Sequence, residues 1–142
     1  MPVQTRIDAV GIDLSPRFFS TTTVVASPAA AAETIIASLT VNQSLAVATG
    51  VDLSGWAAYT VGTSGTTVQF RIRQTDVNGT VKGNTGALSG SQHGAAILSA
   101  DDVEGFDAAP VLPGQVYVLT MQVANGAAIS TVSAVKLRAI IV

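Results

Sequence analysis

The feature that most constrains this sequence is an alternation of apolar and polar side chains with a period of two, which recurs in short runs. In 66–75 every second residue from Val68 to Ile72 is apolar, and the residues between them are polar. The runs 34–41 and 115–123 show the same period and are rich in β-branched residues. Because successive side chains of an extended chain point to opposite faces, this pattern predicts β-strands rather than helices.

Turn-forming residues separate the runs. Asn78-Gly79 and Asn125-Gly126 are hairpin signals, because Asn and Gly tolerate a positive φ angle. The stretch 110–114 contains two Pro residues and a Gly, and it breaks the chain in the same way. Between such breaks lie about eight strands of roughly 5 to 10 residues, a spacing typical of a β-sandwich or barrel.

We therefore predict an all-β protein, an antiparallel eight-stranded jelly-roll sandwich with an extended N-terminal arm. The 142 residues fit one domain. This domain is expected to span 21–142, with 1–20 as the N-terminal arm or an added strand, since 1–20 show no clean alternation. An immunoglobulin-type sandwich fits the sequence less well, because the core of that fold packs a Trp against a disulfide. The chain has a single Trp, Trp56, and no Cys.

One segment carries the marks of a helical turn instead of a strand. Ser99 is a suitable N-cap, and Asp101 and Asp102 would follow in the first turn, where the helix dipole stabilises carboxylates. We expect a single helical turn within 99–106.

Charged side chains are scarce, which excludes some partners. The chain has seven Lys and Arg residues and nine Asp and Glu residues, or 11% charged, against about 25% in a typical soluble domain. Nucleic acid is not an expected partner, because phosphate contacts need several basic groups on one face. A membrane is not expected either, since 1–20 lack the apolar core of a secretory signal and no apolar run is long enough for a membrane span.

The residues that usually carry catalysis or bind metals are few. There is no Cys, and the single His, His93, stands in a stretch rich in Gly and Ser. A metal site built from His and Cys is therefore excluded. A Ser–His–acid triad would lack the Gly-x-Ser-x-Gly turn that presents the nucleophile. We expect a protein that is not an enzyme and needs no cofactor.

One acidic cluster is a weak candidate for a calcium site. Its carboxylates are those of Asp101, Asp102, Glu104 and Asp107. With backbone carbonyls they could supply the six to eight oxygens that Ca²⁺ takes, although the regular spacing of a dedicated calcium loop is absent. A pair of glycosidase carboxylates would need aromatic platforms, and only 5% of the residues are aromatic. The simplest interpretation is a solvated acidic turn.

Two pairs of basic residues lie on the polar sides of predicted strands. Arg71 and Arg73 belong to one strand, and Lys136 and Arg138 belong to another. Should these strands be neighbours, the four side chains would form a small basic stripe suited to an acidic protein surface. A solvated sheet face is the simpler interpretation, because exposed ion pairs contribute little to stability.

The last run, 127–142, indicates an oligomer. It contains only two charged residues and is apolar on both faces, with Val132, Ile140 and Val142 on one of them. A strand that is apolar on both faces must be covered on both. The sandwich core covers one face, and the other is covered by a second subunit or by the N-terminal arm of the same chain. We predict a homo-oligomer, with a homotrimer favoured, whose interface contains these three residues.

The chain as a whole resembles known structural proteins of viruses. The segments 67–73 and 114–120 are similar to strands of trimeric jelly rolls of the tumour-necrosis-factor and complement type. With its bias toward Ala, Val, Thr, Gly and Ser, the chain resembles head decoration proteins and short spikes on tailed-phage particles. The resemblance implies a non-enzymatic protein of the virion surface, assembled in the host cytoplasm, that binds the major capsid protein or another shell protein and stabilises the shell by bridging subunits.

In this interpretation the N-terminal arm reaches onto a neighbouring protein. Its candidate partner-binding residues are Arg6, Ile7, Phe18 and Phe19. The near-neutral net charge of −2 suits the outside of a capsid better than its genome-facing wall.

The alternative function is that of a carbohydrate-binding β-sandwich module. Trp56, Tyr59 and the 101–107 segment would then form the sugar site. The spacing of three residues between Trp56 and Tyr59 places them on opposite faces of a strand, so one of the two is expected in the core.

Overall fold

The computed structural model of the chain describes residues 17–28, 31–43, 50–62, 67–88, 97–124 and 130–142. These residues form eight β-strands, and no helix occurs among them. The described segments accordingly contain no helix with the length and apolar character needed to cross a membrane. The strands are β1 (Phe18–Thr21), β2 (Thr34–Val41), β3 (Val51–Val61), β4 (Val68–Gln74), β5 (Val81–Asn84), β6 (Ser99–Asp107), β7 (Gln115–Val123) and β8 (Ser130–Ile141).

The strands pair in a nested order. All pairs are antiparallel, and the order across the sheet is β1-β8-β3-β6-β5-β4-β7-β2. β1 pairs with β8, β2 with β7, β3 with β6 and β4 with β5, as if one long antiparallel ribbon had been rolled up. This nesting is the jelly-roll arrangement, so the predicted all-β, eight-stranded antiparallel fold is confirmed.

The rolled ribbon has two layers that join at one point. We call β1-β8-β3-β6 the first sheet and β5-β4-β7-β2 the second sheet. Between them, β5 and β6 are connected through a single residue pair, Gly83 and Gly105. Glycine is required at this junction, because a Cβ atom on Gly105 would lie 2.3 Å from the carbonyl oxygen of Lys82.

The core fills the space between the two sheets. Its large buried side chains include Tyr59 and Leu137 from the first sheet and Phe70, Tyr117 and Leu119 from the second. The rings of Tyr59 and Phe70 pack with centroids 5.3 Å apart and planes inclined by 56°, a geometry that aromatic pairs favour. Since the inward positions are occupied by this core, the outward positions of each sheet are the ones available for binding.

A bulge in β8 changes which residues face the core. Ala58 pairs with Ala134, whereas the next residue, Tyr59, pairs with Val132, so Ser133 is an extra residue in β8. An extra residue reverses the alternation before it. Val132 is consequently buried in the core, with 6% of its surface exposed. The sequence pattern placed Val132 outward beside Ile140 and Val142, and this placement is wrong.

The expected helical turn within 99–106 is also wrong. Ser99–Asp107 forms β6, which pairs with β3 in continuous register from Tyr59↔Ser99 to Val51↔Asp107. Nine consecutive residues of β6 thus find a partner strand, and this tertiary pairing outweighs the local preference of Ser99 and two aspartates for a helix start.

Candidate functional site

The outward-facing side chains of the first sheet form rows across its strands. Read from β8 through β3 to β6, the rows are Lys136, Trp56 and Asp102; Arg138, Ser54 and Glu104; and Ile140, Asp52 and Phe106. β1 adds Phe18 opposite Ile140 and Ser20 opposite Arg138. We call these eleven residues the outer face.

The outer face exposes large apolar side chains. The exposed fractions are 52% for Phe18, 46% for Phe106, 40% for Trp56 and 36% for Ile140. The other aromatic side chains of the described residues are buried or partly buried, so all three exposed rings lie on this one face. A monomeric protein rarely gathers such side chains on one surface unless that surface binds something.

Opposite charges stand in two separate columns of the outer face. Lys136 and Arg138 belong to β8, whereas Asp102 and Glu104 belong to β6, and β3 lies between them. Neighbouring strands are about 4.8 Å apart, which puts the columns roughly 10 Å from each other. Within the described residues no ion pair joins them, and the only hydrogen bond assigned to the basic column runs from Arg138 Nε to Ser54 Oγ, 2.9 Å away.

Two shallow clefts open on this face. One, of about 180 Å³, lies between Trp56, the acidic column and the basic column. The other, of about 240 Å³, continues along the same strands past Asp52 to Ile140. The clefts bring an aromatic ring, carboxylates and cationic groups within reach of a bound molecule.

β6 separates the four carboxylates proposed for calcium. Asp102 and Glu104 point outward, while Asp101 and Asp107 point to the inner side of the strand. Asp101 Oδ2 accepts a hydrogen bond from the hydroxyl of Tyr59. Burial and this neighbouring carboxylate raise the pKa of Tyr59 above its ordinary value. Among the described residues, no group of three or more His, Cys, Asp or Glu side chains is placed to hold a metal ion.

Asp107 is a structural carboxylate. Its Oδ1 forms an ion pair with Lys82, and its Oδ2 accepts hydrogen bonds of 2.7 Å from the Tyr117 hydroxyl and from Gln74 Nε2. Burial raises the pKa of Asp107, but the hydrogen bonds from Tyr117 and Lys82 outweigh it and lower the pKa below its ordinary value. This carboxylate is therefore committed to holding strands together.

The predicted basic stripe does not form, because β4 and β8 are not neighbours. Arg71 and Arg73 lie on the outer side of the second sheet, where both pair with Glu33 at 3.0 and 2.7 Å. Burial raises the pKa of Glu33, whereas the hydrogen bonds from Arg73 and Thr120 and the charge of Arg71 lower it, and the net shift is downward. Glu33 thereby engages both guanidinium groups and offsets one of their two positive charges.

The other predicted site residues have different locations. Phe18 is on the outer face, whereas Phe19 packs against the core. Arg6 and Ile7 lie outside the described residues, and so does His93. Val142 is partly buried, and its backbone is hydrogen-bonded to that of Gly50.

Trp56 and Tyr59 lie on opposite sides of β3, as their spacing predicted. Tyr59 is in the core and Trp56 is on the outer face. Sequence reasoning did not connect Trp56 with Asp52 and Phe106, which share this surface with it. The segment 99–107 gave no signal for this, because polar and apolar residues occur on both sides of β6 and its first residues resemble a helix start.

Comparison with solved structures finds a weak likeness in fold. No protein-family model matches the sequence, and no curated protein matches it. The chain is similar to a solved structure described as infectious bursal disease virus, Gx strain, with 12% sequence identity and a TM-score of 0.44. The match covers 88% of this chain and 29% of that chain, so this chain spans less than a third of the other protein's length. What the outer face binds has to be inferred from its own residues.

Proposed function

We propose that this chain is a non-enzymatic structural protein of the virion surface, which binds a viral shell through the outer face and stabilises the shell by bridging its subunits. The observation that carries the proposal is the clustering of Phe18, Trp56, Phe106 and Ile140 as exposed side chains on one side of one sheet. Contact with another protein would remove this apolar surface from water.

The make-up of the outer face supports a protein partner. Aromatic and Arg residues are enriched in the centres of protein interfaces, and Trp is among the residues that contribute most to binding when they are buried there. Trp56 lies near the middle of the face, between the basic and the acidic column. The arrangement suits a flat contact with a second folded surface.

The hydrogen bonds formed by the other charged side chains support a function that does not involve catalysis. Glu33, Asp101 and Asp107 each accept hydrogen bonds that hold the sandwich together. Asp102 and Glu104 are next to each other on the outer face, and no His or Cys side chain is found among the described residues to accompany them. An acid and a base that converge on one cleft are what an enzyme of this size would need.

The jelly-roll fold and the net charge are both compatible with a position on the outside of a viral shell. Jelly-roll sandwiches form the domains of many viral capsids and lectins, although a fold by itself does not assign a function. The net charge of −2 is compatible with the outside of a particle. A homotrimer, as predicted from the sequence, stays a prediction that the native mass tests.

The test is rebinding to shells of the source virus that have been prepared without this chain. A variant with Phe18→Ser and Phe106→Ser is compared with a control in which Val81 and Val111, exposed apolar residues away from the outer face, are replaced by Ser. We expect the first variant to lose at least tenfold in affinity in co-sedimentation and the control to bind like the wild type. Equal binding of all three proteins, or no shell binding by the wild type, would refute the proposal.

A sugar-binding module is the second candidate, and the position of Trp56 favours it. Its exposed ring borders a cleft lined by carboxylate and cationic side chains, which is the combination that sugar sites use. Because Trp56 is the only Trp, its fluorescence reports directly on an occupied cleft. Titration with a panel of oligosaccharides is expected to shift the emission, and Trp56→Ala to abolish binding. An unchanged emission at millimolar sugar excludes this candidate.

A further inference from the structure

We infer that the outer face also binds a second copy of this chain, in a pair whose two-fold axis runs nearly parallel to β3 and places β8 of each copy over β6 of the other. This inference rests on the proposed function, because it names a second protein that the outer face binds; pairing and shell binding bury the same residues and are therefore alternative states of the face. It depends on how charge is distributed over the three strands.

The two charged columns are complementary to each other but cannot neutralise each other within one copy. Lys136 and Arg138 lie one strand beyond Trp56 on one side, and Asp102 and Glu104 lie one strand beyond it on the other. No ion pair connects them within the described residues. In a chain with only seven basic and nine acidic residues, two charged columns without an ion-pair partner among the described residues, on a surface with three exposed aromatic rings, suit a partner that carries the same pattern.

The direction of the axis follows from the order of the strands. Rotation by 180° about an axis along β3 exchanges left and right, so that the basic column of one copy lies over the acidic column of the other. Rotation about an axis across the strands would place like charges on like charges, which is unfavourable. Facing sheets usually cross at about 30°, so a small tilt of the axis from β3 is expected.

The apolar residues fit the same arrangement. Trp56 lies between the columns, so it meets the partner's Trp56 near the axis. Ile140 and Phe106 share a row on either side of Asp52, and the rotation places Ile140 over the partner's Phe106. Both apolar side chains then become buried without a change in the fold.

A face-to-face contact of this kind closes with two copies, because each copy uses the same surface. It therefore differs from the homotrimer that the sequence suggested. Three strands of each copy, β8, β3 and β6, overlap in this pair over roughly 14 Å by 23 Å, or about 650 Å² from both copies. An interface of this size lies below the standard range of specific contacts, and we expect a Kd in the high micromolar range.

Exchange of the charges tests the pairing. One variant carries Lys136→Glu and Arg138→Glu, and the other carries Asp102→Lys and Glu104→Lys. Each variant alone then presents two columns of the same sign, and we expect its self-association to weaken at least tenfold. An equimolar mixture is expected to form mixed pairs with an affinity within about threefold of the wild type, because both contacts regain opposite charges.

The measurements are the native mass by sedimentation and the accessibility of Trp56 to a fluorescence quencher, both over a range of protein concentration. Asp76→Lys, in the exposed turn between β4 and β5, changes the net charge away from the outer face and serves as the control. Circular dichroism verifies that each variant is folded, and a variant with all four exchanges is expected to pair again with itself.

Several results would overturn the inference. The first is a wild type that stays a single chain at millimolar concentration, and the second is a native mass of three chains. The third is a set of charge exchanges that leave the native mass unchanged. The fourth is a single chain in which Trp56 is protected from the quencher at every dilution, as if covered by residues 1–16. If any of these occurs while Phe18→Ser with Phe106→Ser still weakens shell binding at least tenfold, the proposed function stands and only the self-pairing fails.

Discussion

Lys82 Nζ lies 2.9 Å from Oδ1 of Asp107, a carboxylate whose side chain has no exposed surface. The other carboxylate oxygen accepts hydrogen bonds from Gln74 and Tyr117. One side chain of β6 is thereby tied to β5, β4 and β7, close to the junction at which the two sheets meet. The strand that carries the acidic column of the outer face is held in place by this buried group.

Removal of this carboxylate is expected to be costly. Asp107→Ala leaves the Lys82 ammonium and the Tyr117 hydroxyl without their partner, and the loss of one member of such a buried pair destabilises a protein by about 3 to 5 kcal/mol. Urea unfolding followed by circular dichroism measures the free energy of unfolding. Asp102→Ala, on the exposed side of the same strand, is the control, with an expected change below about 0.5 kcal/mol. Similar values for the two variants would show that the Asp107 contacts contribute little.

Stability is expected to fall in acid. The pKa values of Glu33 and Asp107 are lowered in the folded protein, so the contribution of each carboxylate is complete above its unfolded-state pKa of about 4. That contribution is lost as the pH falls through the folded-state value. The urea midpoint should therefore be nearly constant from about pH 7 to 5 and decline below about pH 4.

Comparison of Glu33→Gln with the wild type measures how much of the decline of the urea midpoint in acid is due to Glu33. The amide can still accept hydrogen bonds from Arg71 and Arg73, but it has no charge to titrate. We expect a lower midpoint at neutral pH and a flatter decline in acid than in the wild type. A decline as steep as that of the wild type would assign the acid sensitivity to other groups.

Truncation of two apolar residues of β8 is expected to destabilise the protein to different extents. Val132→Ala removes buried methyl groups and should lower the free energy of unfolding by about 2 kcal/mol. Ile140→Ala affects an exposed side chain and should cost less than about 1 kcal/mol, while it weakens self-association severalfold. Urea unfolding and sedimentation of the two variants measure these effects. Equal losses of stability would contradict the bulge at Ser133.

Asp52 provides a test of the two-fold axis. It belongs to β3, and in the proposed pair it approaches the partner's Asp52 near the axis, where like charges repel. Asp52→Asn should therefore lower the Kd of self-association about twofold to fivefold at low salt, and screening at about 0.5 M salt should remove the difference. Asp76→Asn is the matched control. Weaker association of Asp52→Asn than of the wild type would place the axis elsewhere.

Much of the sandwich could be predicted because its strands have one apolar and one polar side. The alternation in 66–75 and 115–123 corresponds to β4 and β7, and the turn at Asn78-Gly79 joins β4 to β5. These are local patterns, and they depend on which residues face the core rather than on which strand is the neighbour.

The sequence alone could not predict which residues form the outer face, because that depends on the register in which the strands pair. Trp56 and Asp102 are 46 positions apart in the chain, and only the pairing of β3 with β6 places them side by side. Val132 was assigned to the wrong side because one additional residue in β8, without any mark in composition, reverses the alternation. The acidic residues of β6 were misread because their local preference is for a turn, and the neighbouring strand overrides it.

On the outer side of the second sheet, Glu33 already engages the guanidinium groups of both Arg71 and Arg73. A molecule that attaches through the outer face therefore turns this side, whose guanidinium groups already have a partner, toward solvent. Attachment through one side of the sandwich gives every attached copy the same orientation.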